Sequence, residues 1–312
     1  MMAPQKRSAA EAESLLVGVK CIVVDIEGTT TPITFVKDKL YPYVSDNLES
    51  YLKETYDEAE TKKDITALRE LAKKDKEESV EGAVEIPDAA AGKEEVIKGV
   101  VANVRWQMDN DRKSTELKQL QGHIWRQAYE SGTLKGELFE DCAPMLRMLS
   151  EEGFMLYTYS SGSVESQKLL FANSSEGDLT EVFSGFFDTS VGQKTDPNSY
   201  KNIAKEINDD KPADEILFLT DSPEEAEAAV AAGWRSALVI RPGNADLTDE
   251  HLQNFACIEQ FDELYGDEDE EDIKRMHQED NGEAEEEDEE EVDEDEEEEN
   301  EEEEGEGDGD DA

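Results

Sequence analysis

The sequence predicts a doubly wound, Rossmann-like α/β fold, in which helices cover both faces of a parallel sheet. Short runs rich in β-branched or aromatic residues, such as VKCIVVD at 19–25 and ILFLT at 216–220, are typical of strands buried on both faces. After residue 150 such runs alternate with amphipathic segments of about ten residues, as helices do between parallel strands. These observations indicate βαβ units with right-handed crossovers.

The strands and helices of this core can be placed in order along the chain. The first strand, 19–25, ends in the polar, glycine-containing turn IEGTTTP. Further strands are predicted at 154–159, 185–188, 216–220 and 236–240, and the last of these is the final clear strand. The helices that follow them are predicted to end at 171 and to span 197–207 and 223–232, with Gly233 closing the last.

Residues 33–134 have a different pattern from the core. Apolar residues recur there at three- and four-residue spacings among many charges, and no strand-like run interrupts them. We therefore predict a helical domain inserted between the first and second strands. The predicted domains are a flexible N-terminus at 1–17, an α/β core at 18–32 and 135–265, the helical insertion at 33–134 and a disordered acidic tail at 266–312.

The predicted tail carries more than half of a very large negative charge. Residues 267–312 contain 31 acidic and two basic residues, a charge of −29, which leaves −23 of the formal −52 to the other 266 residues. A segment with so few apolar residues cannot bury enough surface to offset the entropy of ordering it. We interpret it as a solvated, self-repelling extension, with the binding of basic proteins as the alternative. Direct nucleic-acid binding is disfavoured because the tail repels phosphates.

Cysteine usage and the lack of a long apolar segment favour an intracellular protein. Cys21, Cys142 and Cys257 are far apart and form no CxxC pair, which suits a reducing compartment. The first residues lack the apolar stretch of a signal peptide, and no window approaches the roughly 18 apolar residues of a membrane span. We expect a soluble cytoplasmic monomer without membrane contact, and the nucleus is a second expected location.

Polar side chains follow four of the predicted strands. Because the carboxyl ends of parallel strands lie along one edge of a sheet, these side chains are expected to converge. They are Asp25 and Glu27 after the first strand, Ser160 and Ser161 after the second, Lys194 after the third and Asp221 after the fourth. Taken singly, each has a structural explanation, since such Asp and Ser residues commonly cap turns and helices and a lone lysine is usually solvated. Their occurrence at successive strand ends favours a shared site.

Carboxylates, hydroxyls and one ammonium at a single edge indicate phosphoryl transfer. A Mg²⁺ ion between Asp25 and Asp221 would cancel the repulsion between a phosphate dianion and a carboxylate nucleophile. The Ser160 hydroxyl and Lys194 would hold the other phosphate oxygens while Asp25 attacks in line, giving an aspartyl-phosphate that water hydrolyses. Glu27 is placed to move protons or to fix the metal and its waters.

These residues resemble the four motifs of the haloacid dehalogenase superfamily. The motifs occur here as DIEGT at 25–29, YSSGS at 159–163, Lys194 and FLTD at 218–221. Glu27 departs from the superfamily pattern, which usually has Asp two positions after the nucleophile. The longer segments DIEGTTTPI, DRKSTELKQLQGHIW, YSSGSVESQKLLF and VIRPGNADLT closely resemble the enolase-phosphatase E1 family, also called acireductone synthases, in which this glutamate is a family trait.

The second resemblance covers roughly residues 19–265 and implies a complete activity. Members are magnesium-dependent phosphatases of methionine salvage that enolise 2,3-diketo-5-methylthiopentyl-1-phosphate. They then dephosphorylate it to the acireductone 1,2-dihydroxy-5-(methylthio)pent-1-en-3-one. The helical insertion corresponds to a cap domain over the site. Carried over to this sequence, the resemblance implies one Mg²⁺ per subunit held by Asp25, Glu27 and Asp221, substrate binding by Ser160, Ser161 and Lys194, and Asp25, Glu27 and Lys194 as catalytic residues.

Three questions stay open at the level of sequence. Glu27 and Lys194 are both candidates for taking the carbon-bound proton during enolisation. Within the insertion, the stretch 109–113 is a candidate for substrate selection, with a solvated helix end as the alternative. Trp106 and Trp125 of the insertion and Trp234 of the core are interpreted as core residues. The alternatives to the enolase-phosphatase function are a general small-metabolite phosphatase with the same core, and a non-catalytic scaffold whose acidic tail binds basic proteins.

Overall fold

Six parallel strands among the described residues form one sheet in the order β3-β2-β1-β4-β5-β6. The computed structural model describes residues 14–207 and 212–266 of the 312-residue chain, so the predicted tail lies outside the described residues except for Gly266. The strands are β1 (Cys21–Val24), β2 (Met155–Tyr159), β3 (Gly185–Phe187), β4 (Ile216–Thr220), β5 (Arg235–Val239) and β6 (Ala256–Ile258). This arrangement confirms the predicted parallel α/β core.

The order of the helices separates the core from the insertion. Residues between β1 and β2 form α1 (Ile33–Phe35), a π-helical turn (Val36–Leu40), α2 (Tyr41–Thr55), α3 (Ala59–Glu77), α4 (Lys93–Asp109), α5 (Thr115–Glu130) and α6 (Cys142–Glu151). The remaining helices are α7 (Val164–Ala172), α8 (Pro197–Ile207), α9 (Pro223–Ala231) and α10 (Asp249–Asn254). No helix among the described residues is both long and apolar enough to cross a membrane.

Helices cover both faces of the sheet because β1 is apolar on both sides. Cys21 and Val23 pack in a cluster with residues of α8 and α9, and all four residues of β1 are fully buried. Since successive side chains of a strand point to opposite faces, Ile22 and Val24 must be covered from the other side. A strand buried on both faces reads as a continuous apolar run, which is why CIVV was recognisable in the sequence.

The helical insertion has a hydrophobic core of its own. Leu48, Leu68, Val100 and Leu120, one from each of α2 to α5, are fully buried in a single cluster. Their regular spacing with charged neighbours reflects the amphipathic pattern predicted for 33–134. These helices, α2 to α5, therefore form a separately packed layer, which is called the cap below. The chain segments before α2 and after α5 connect the cap to the sheet.

Two boundaries differ from the sequence prediction. β6 follows the strand predicted to be last, and it pairs with β5 at the sheet edge. Its three residues are too few to show an alternating or continuous apolar pattern, so only pairing with β5 defines it. At the other end, residues 14–17 are not a flexible extension, because the Leu15 amide donates to the Leu264 carbonyl at 2.9 Å and Arg235 donates to the Val17 carbonyl at 2.6 Å.

Candidate active site

Asp25 lies immediately after β1, at the carboxyl edge of the sheet. Its amide donates to the Leu219 carbonyl of β4 at 2.8 Å, and the residue is only 4% exposed. The Ile26 amide donates to Asp25 Oδ1 at 2.7 Å, so the backbone orients the carboxylate. The turn that follows is closed by a hydrogen bond from the Gly28 amide to the Thr31 carbonyl at 2.8 Å.

Lys194 stands between two carboxylates in the buried part of the site. Its Nζ lies 2.5 Å from Asp25 Oδ1 and 2.7 Å from Glu225 Oε2. Burial would lower the pKa of Lys194, but the charges of Asp25 and Glu225 outweigh burial and raise it. Lys194 is therefore a fixed ammonium that keeps its proton.

Glu225 is a site residue that the sequence analysis missed. It lies in the first turn of α9, where an acidic residue is explained by the helix dipole alone. In the structure the Thr220 hydroxyl donates to Glu225 Oε2 at 2.9 Å, which aims the carboxylate at Lys194. In the sequence, the only local signal for Glu225 is its spacing from Ser222 in the segment TDSPEEA. The same spacing also fits a simple role in capping the N-terminus of the helix.

We expect that replacing Lys194 with Met lowers the free energy of unfolding by about 3–5 kcal/mol in Mg²⁺-free buffer, because Asp25 and Glu225 are left buried without a counter-charge. Urea unfolding at neutral pH measures the effect. Lys201→Met, at an exposed position on α8, is the matched control. A loss below about 1 kcal/mol, the range of a surface ion pair, would contradict the buried-network interpretation.

Asp221 follows β4 and faces the same edge as Asp25. Partial burial, and next the charge of Asp25, raise the pKa of Asp221 from 3.8 to about 7. A Cβ atom on Gly28 would lie 2.5 Å from Asp221 Oδ2, so only glycine lets the turn approach this carboxylate. The two carboxylates predicted to share a metal ion are therefore electrostatically coupled.

The donor set at this edge fits a Mg²⁺ ion. Asn244 Nδ2 donates to the Gly28 carbonyl at 2.8 Å, whereas its buried Oδ1 has no hydrogen-bond partner. This Oδ1 and Asp221 Oδ2 both lie next to the position that a Cβ atom on Gly28 would occupy. Oxygen atoms without donors are the ligands that a hard cation and its waters satisfy. No group of three His, Cys, Asp or Glu side chains within 14–207 and 212–266 is arranged to hold a metal by itself. Mg²⁺ is commonly held by one or two carboxylates, with waters and substrate phosphate completing its shell.

Glu27 lies between the metal edge and the cap. Partial burial, and next the charge of Asp25, raise the pKa of Glu27, and this effect is opposed by the charges of Lys194, Lys113 and Lys118. Two of these lysines belong to the cap segment around the start of α5. Glu27 is thus the site residue on which charges from the core and the cap act together.

The loop after β2 presents hydroxyls and backbone amides to the site. Ser160 is buried and its Oγ accepts from the Gly162 amide at 3.2 Å, whereas Ser161 is exposed. Gln167 holds this loop by donating to the carbonyls of Gly162 and Phe187, each at 2.8 Å. Gln167 was not identified from the sequence, because a glutamine within an amphipathic helix carries no local signal.

A cavity of about 100 Å³ lies between the cap and this edge of the sheet. Its polar side contains Glu27, residues 160–163, Lys113 and Lys118. Its apolar side is formed by Val36, Leu40, Tyr41, Trp125 and Leu170. The cavity therefore offers polar contacts next to the strand ends and an apolar wall under the cap.

The tryptophans and the 109–113 stretch of the sequence prediction differ in their positions. Trp125 packs against the cap core as expected, but it also lines the cavity and donates to the Leu40 carbonyl at 3.0 Å. Trp234 is buried in the sheet core, in agreement with its prediction. Within 109–113, Lys113 lines the cavity, whereas Arg112 forms a bidentate ion pair with Asp75 of α3.

Comparisons with known proteins agree with this arrangement. The sequence profile of haloacid dehalogenase-like hydrolases matches residues 19–233. The chain is 51% identical over 249 residues to Enolase-phosphatase E1 of Xenopus tropicalis, covering 79% of this chain and 95% of that protein. It is 50% identical to a probable bifunctional methylthioribulose-1-phosphate dehydratase/enolase-phosphatase E1 of Populus trichocarpa, covering 78% of this chain and 47% of that protein. Among solved structures, the UTR4 protein of Saccharomyces cerevisiae matches with a TM-score of 0.60 and 29% identity, over 78% of this chain and 98% of that one.

Proposed function

The chain belongs to the enolase-phosphatase E1 family of haloacid dehalogenase-like hydrolases, and from this premise we propose a role for each residue of its site. The protein is a methionine-salvage enolase-phosphatase. It enolises 2,3-diketo-5-methylthiopentyl-1-phosphate and then dephosphorylates the enol to the acireductone. The observation that carries the assignment of roles is the contact of Lys194 with Asp25, whose chain neighbours Ile26 and Glu27 line the cavity.

Asp25 is the proposed nucleophile of phosphate transfer. Its Oδ1 is engaged by the Ile26 amide and Lys194, so the carboxylate is held in one orientation. Attack on phosphorus breaks the bond to the substrate oxygen and forms an aspartyl-phosphate, which water then hydrolyses. Lys194 keeps a positive charge beside this carboxylate, and Ser160 and Ser161 bind the phosphate oxygens.

One Mg²⁺ per subunit is proposed at the Asp25 and Asp221 carboxylates, with Glu27 as the third residue, which acts on the ion through its waters. When bound, the ion reduces the repulsion between the phosphate and the nucleophile. The coupling of Asp25 to Asp221 and the unpartnered Oδ1 of Asn244 support this position.

Glu27 is the proposed acceptor of the carbon-bound proton. The other candidate, Lys194, is committed to ion pairs with Asp25 and Glu225 and remains an ammonium, so it has no lone pair for a proton. Glu27 lines the cavity and is free of direct ion pairs among the described residues. A carboxylate in this position needs only to reach the carbon that bears the phosphate ester.

The test is turnover of the diketo phosphate by the Mg²⁺-loaded protein, followed by enol absorbance and by phosphate release. An enol signal that precedes phosphate release is expected. Phosphate release without an enol would reduce the function to that of a general phosphatase, and the absence of both would favour a scaffold. Three expectations remain separate proposals. They are the monomeric state, the cytoplasmic location with the nucleus as a second, and the binding of basic proteins by residues 267–312.

Mg²⁺ affinity is expected to rise with pH up to about 7. Because the pKa of Asp221 in the folded protein is about 7, protons compete with the cation below that pH, and affinity falls by up to about tenfold per pH unit. In Mg²⁺-free buffer the same raised pKa makes the folded state bind an extra proton between about pH 4 and 7. The free energy of unfolding should therefore decrease as pH rises through that range.

Isothermal titration with Mg²⁺ between pH 5.5 and 8 measures this dependence. Titration at pH 6 in two buffers of different ionisation enthalpy should also detect release of about one proton per ion. Asp221→Asn removes the titrating group and is the control. Affinity that does not change between pH 5.5 and 7 would rule out Asp221 as the group that competes with the metal.

A further inference from the structure

Lys118 reaches from the cap into the active site. It lies in the first turns of α5, and its Nζ donates to the Ser161 carbonyl at 2.8 Å. The side chain is partly buried and lines the polar side of the cavity together with Glu27. This lysine therefore contacts the loop assigned to the phosphate while it belongs to a different layer of the protein.

The ammonium of Lys118 has donors to spare. In the described part of the chain it makes no ion pair, and its hydrogen bond to Ser161 uses one of its three N–H groups. Burial, and next the charge of Lys113, lower the pKa of Lys118, whereas Glu27 and Asp188 oppose that change. A partly desolvated cation without a carboxylate partner is suited to hold an oxygen of the substrate.

The chemistry of the substrate puts a carbonyl group directly next to the carbon that loses its proton. The proton removed in enolisation is on the carbon that bears the phosphate ester, and the first carbonyl is on the next carbon. With the phosphate on the 160–163 loop and the proton acceptor at Glu27, that carbonyl lies within a few bonds of both. Lys118 contacts the same loop and interacts electrostatically with Glu27, so it occupies the corresponding region of the cavity.

We propose that Lys118 is a catalytic residue of the enolisation step, donating a hydrogen bond to the carbonyl oxygen next to the phosphate-bearing carbon. The C–H bond breaks and its electron pair forms the carbon–carbon double bond. The proton passes to the Glu27 carboxylate, and the C=O π pair moves to oxygen as an enolate. The Lys118 ammonium keeps its protons and balances the enolate charge. This inference rests on the proposed function. Lys118 takes no part in the phosphate transfer, which is assigned to other residues.

A second contact between cap and core provides a control for a merely structural role. Arg126, further along α5, pairs with Glu165 of α7 at 2.9 Å and also with Glu60 of α3 within the cap. Arg126 does not line the cavity that contains Glu27. Removing Arg126 therefore weakens the attachment of the same helix without removing a charge from the site.

The experiment compares Lys118→Met and Arg126→Met as Mg²⁺-loaded proteins. Phosphate release is measured from the diketo phosphate, from the same substrate deuterated at the phosphate-bearing carbon, and from 4-nitrophenyl phosphate, which cannot enolise. For Lys118→Met we expect the rate with the diketo phosphate to fall about 10²–10³-fold, the usual effect of removing one oxyanion donor. The deuterium isotope effect should increase, and the rate with 4-nitrophenyl phosphate should change far less.

The outcomes separate this inference from the proposed function. If the wild-type protein forms no enol from the diketo phosphate, the proposed function is wrong and Lys118 has no such role. If the wild type forms the enol but Lys118→Met slows both substrates equally, or matches Arg126→Met in its isotope effect, Lys118 only positions the cap. Lys118→Gln retains a neutral donor and replaces the Met variant if that protein does not fold. It is expected to recover part of the lost rate and to reduce the isotope effect.

Discussion

Asp25→Asn is expected to reduce phosphate release from any substrate by on the order of 10⁴-fold or more, because the reaction loses its nucleophile. The fold should be preserved, since the amide has the same shape and Oδ1 can still accept from the Ile26 amide. The rate of phosphate release under saturating Mg²⁺ and substrate measures the effect. Mass spectrometry of acid-quenched wild-type protein should also detect a phosphoryl group on the peptide that contains Asp25.

The control for this variant is Asp246→Asn, which changes the same charge at an exposed position. Its rate should remain close to that of the wild type. Substantial turnover by Asp25→Asn, or a trapped phosphoryl group on another residue, would show that a different side chain attacks phosphorus. Intact thermal unfolding of both variants excludes loss of structure as the cause.

Gly28→Ala is expected to weaken Mg²⁺ binding by about 10–100-fold and to lower activity in parallel. The new methyl group would lie 2.5 Å from Asp221 Oδ2 and 2.7 Å from its Cγ, so the carboxylate has to move. Gly28 also has φ +80°, a left-handed conformation that costs other residues about 1–2 kcal/mol. Calorimetric titration with Mg²⁺ measures the loss of affinity independently of catalysis.

Gly153→Ala separates the two effects of this substitution. Gly153 has φ +92°, and a Cβ there would meet no atom within 4 Å. Both variants should therefore lose a similar amount of stability from backbone strain, but only Gly28→Ala should lose metal affinity. Equal Mg²⁺ affinity in the two proteins would contradict the conclusion that close approach of the turn positions Asp221.

Much of the fold was predictable because its signals are local. The strand before Asp25 is buried on both faces, so its apolar run is continuous, and helices of the cap show their amphipathic spacing over several turns. β6 lacked such a signal, because three residues do not reveal a period and its pairing with β5 depends on the completed sheet. Residues 14–17 were missed for a related reason, since backbone hydrogen bonds to distant segments leave no side-chain pattern.

The acids, hydroxyls and lysine at the strand ends could be placed together from topology alone. Parallel strands share a carboxyl edge, so Asp25 and Asp221 were expected to be neighbours once both strands were recognised. The supporting residues were not predictable in this way. Gln167 and Glu225 each lie within a helix where their residue type is ordinary, and only their long-range contacts reveal what they hold.

The sequence by itself determined the family, the parallel core with its helical insertion, and the identity of the residues at the strand ends. The tertiary structure decided their charge states and their neighbours. Lys194 is a fixed ammonium because it meets Asp25, 169 positions away in the chain, and Glu225 in a buried site. Lys118 and Trp125 face the cavity because the cap packs over the sheet edge. Periodicity and strand order are properties of short segments, whereas burial and Coulomb interactions depend on atoms that only folding brings together.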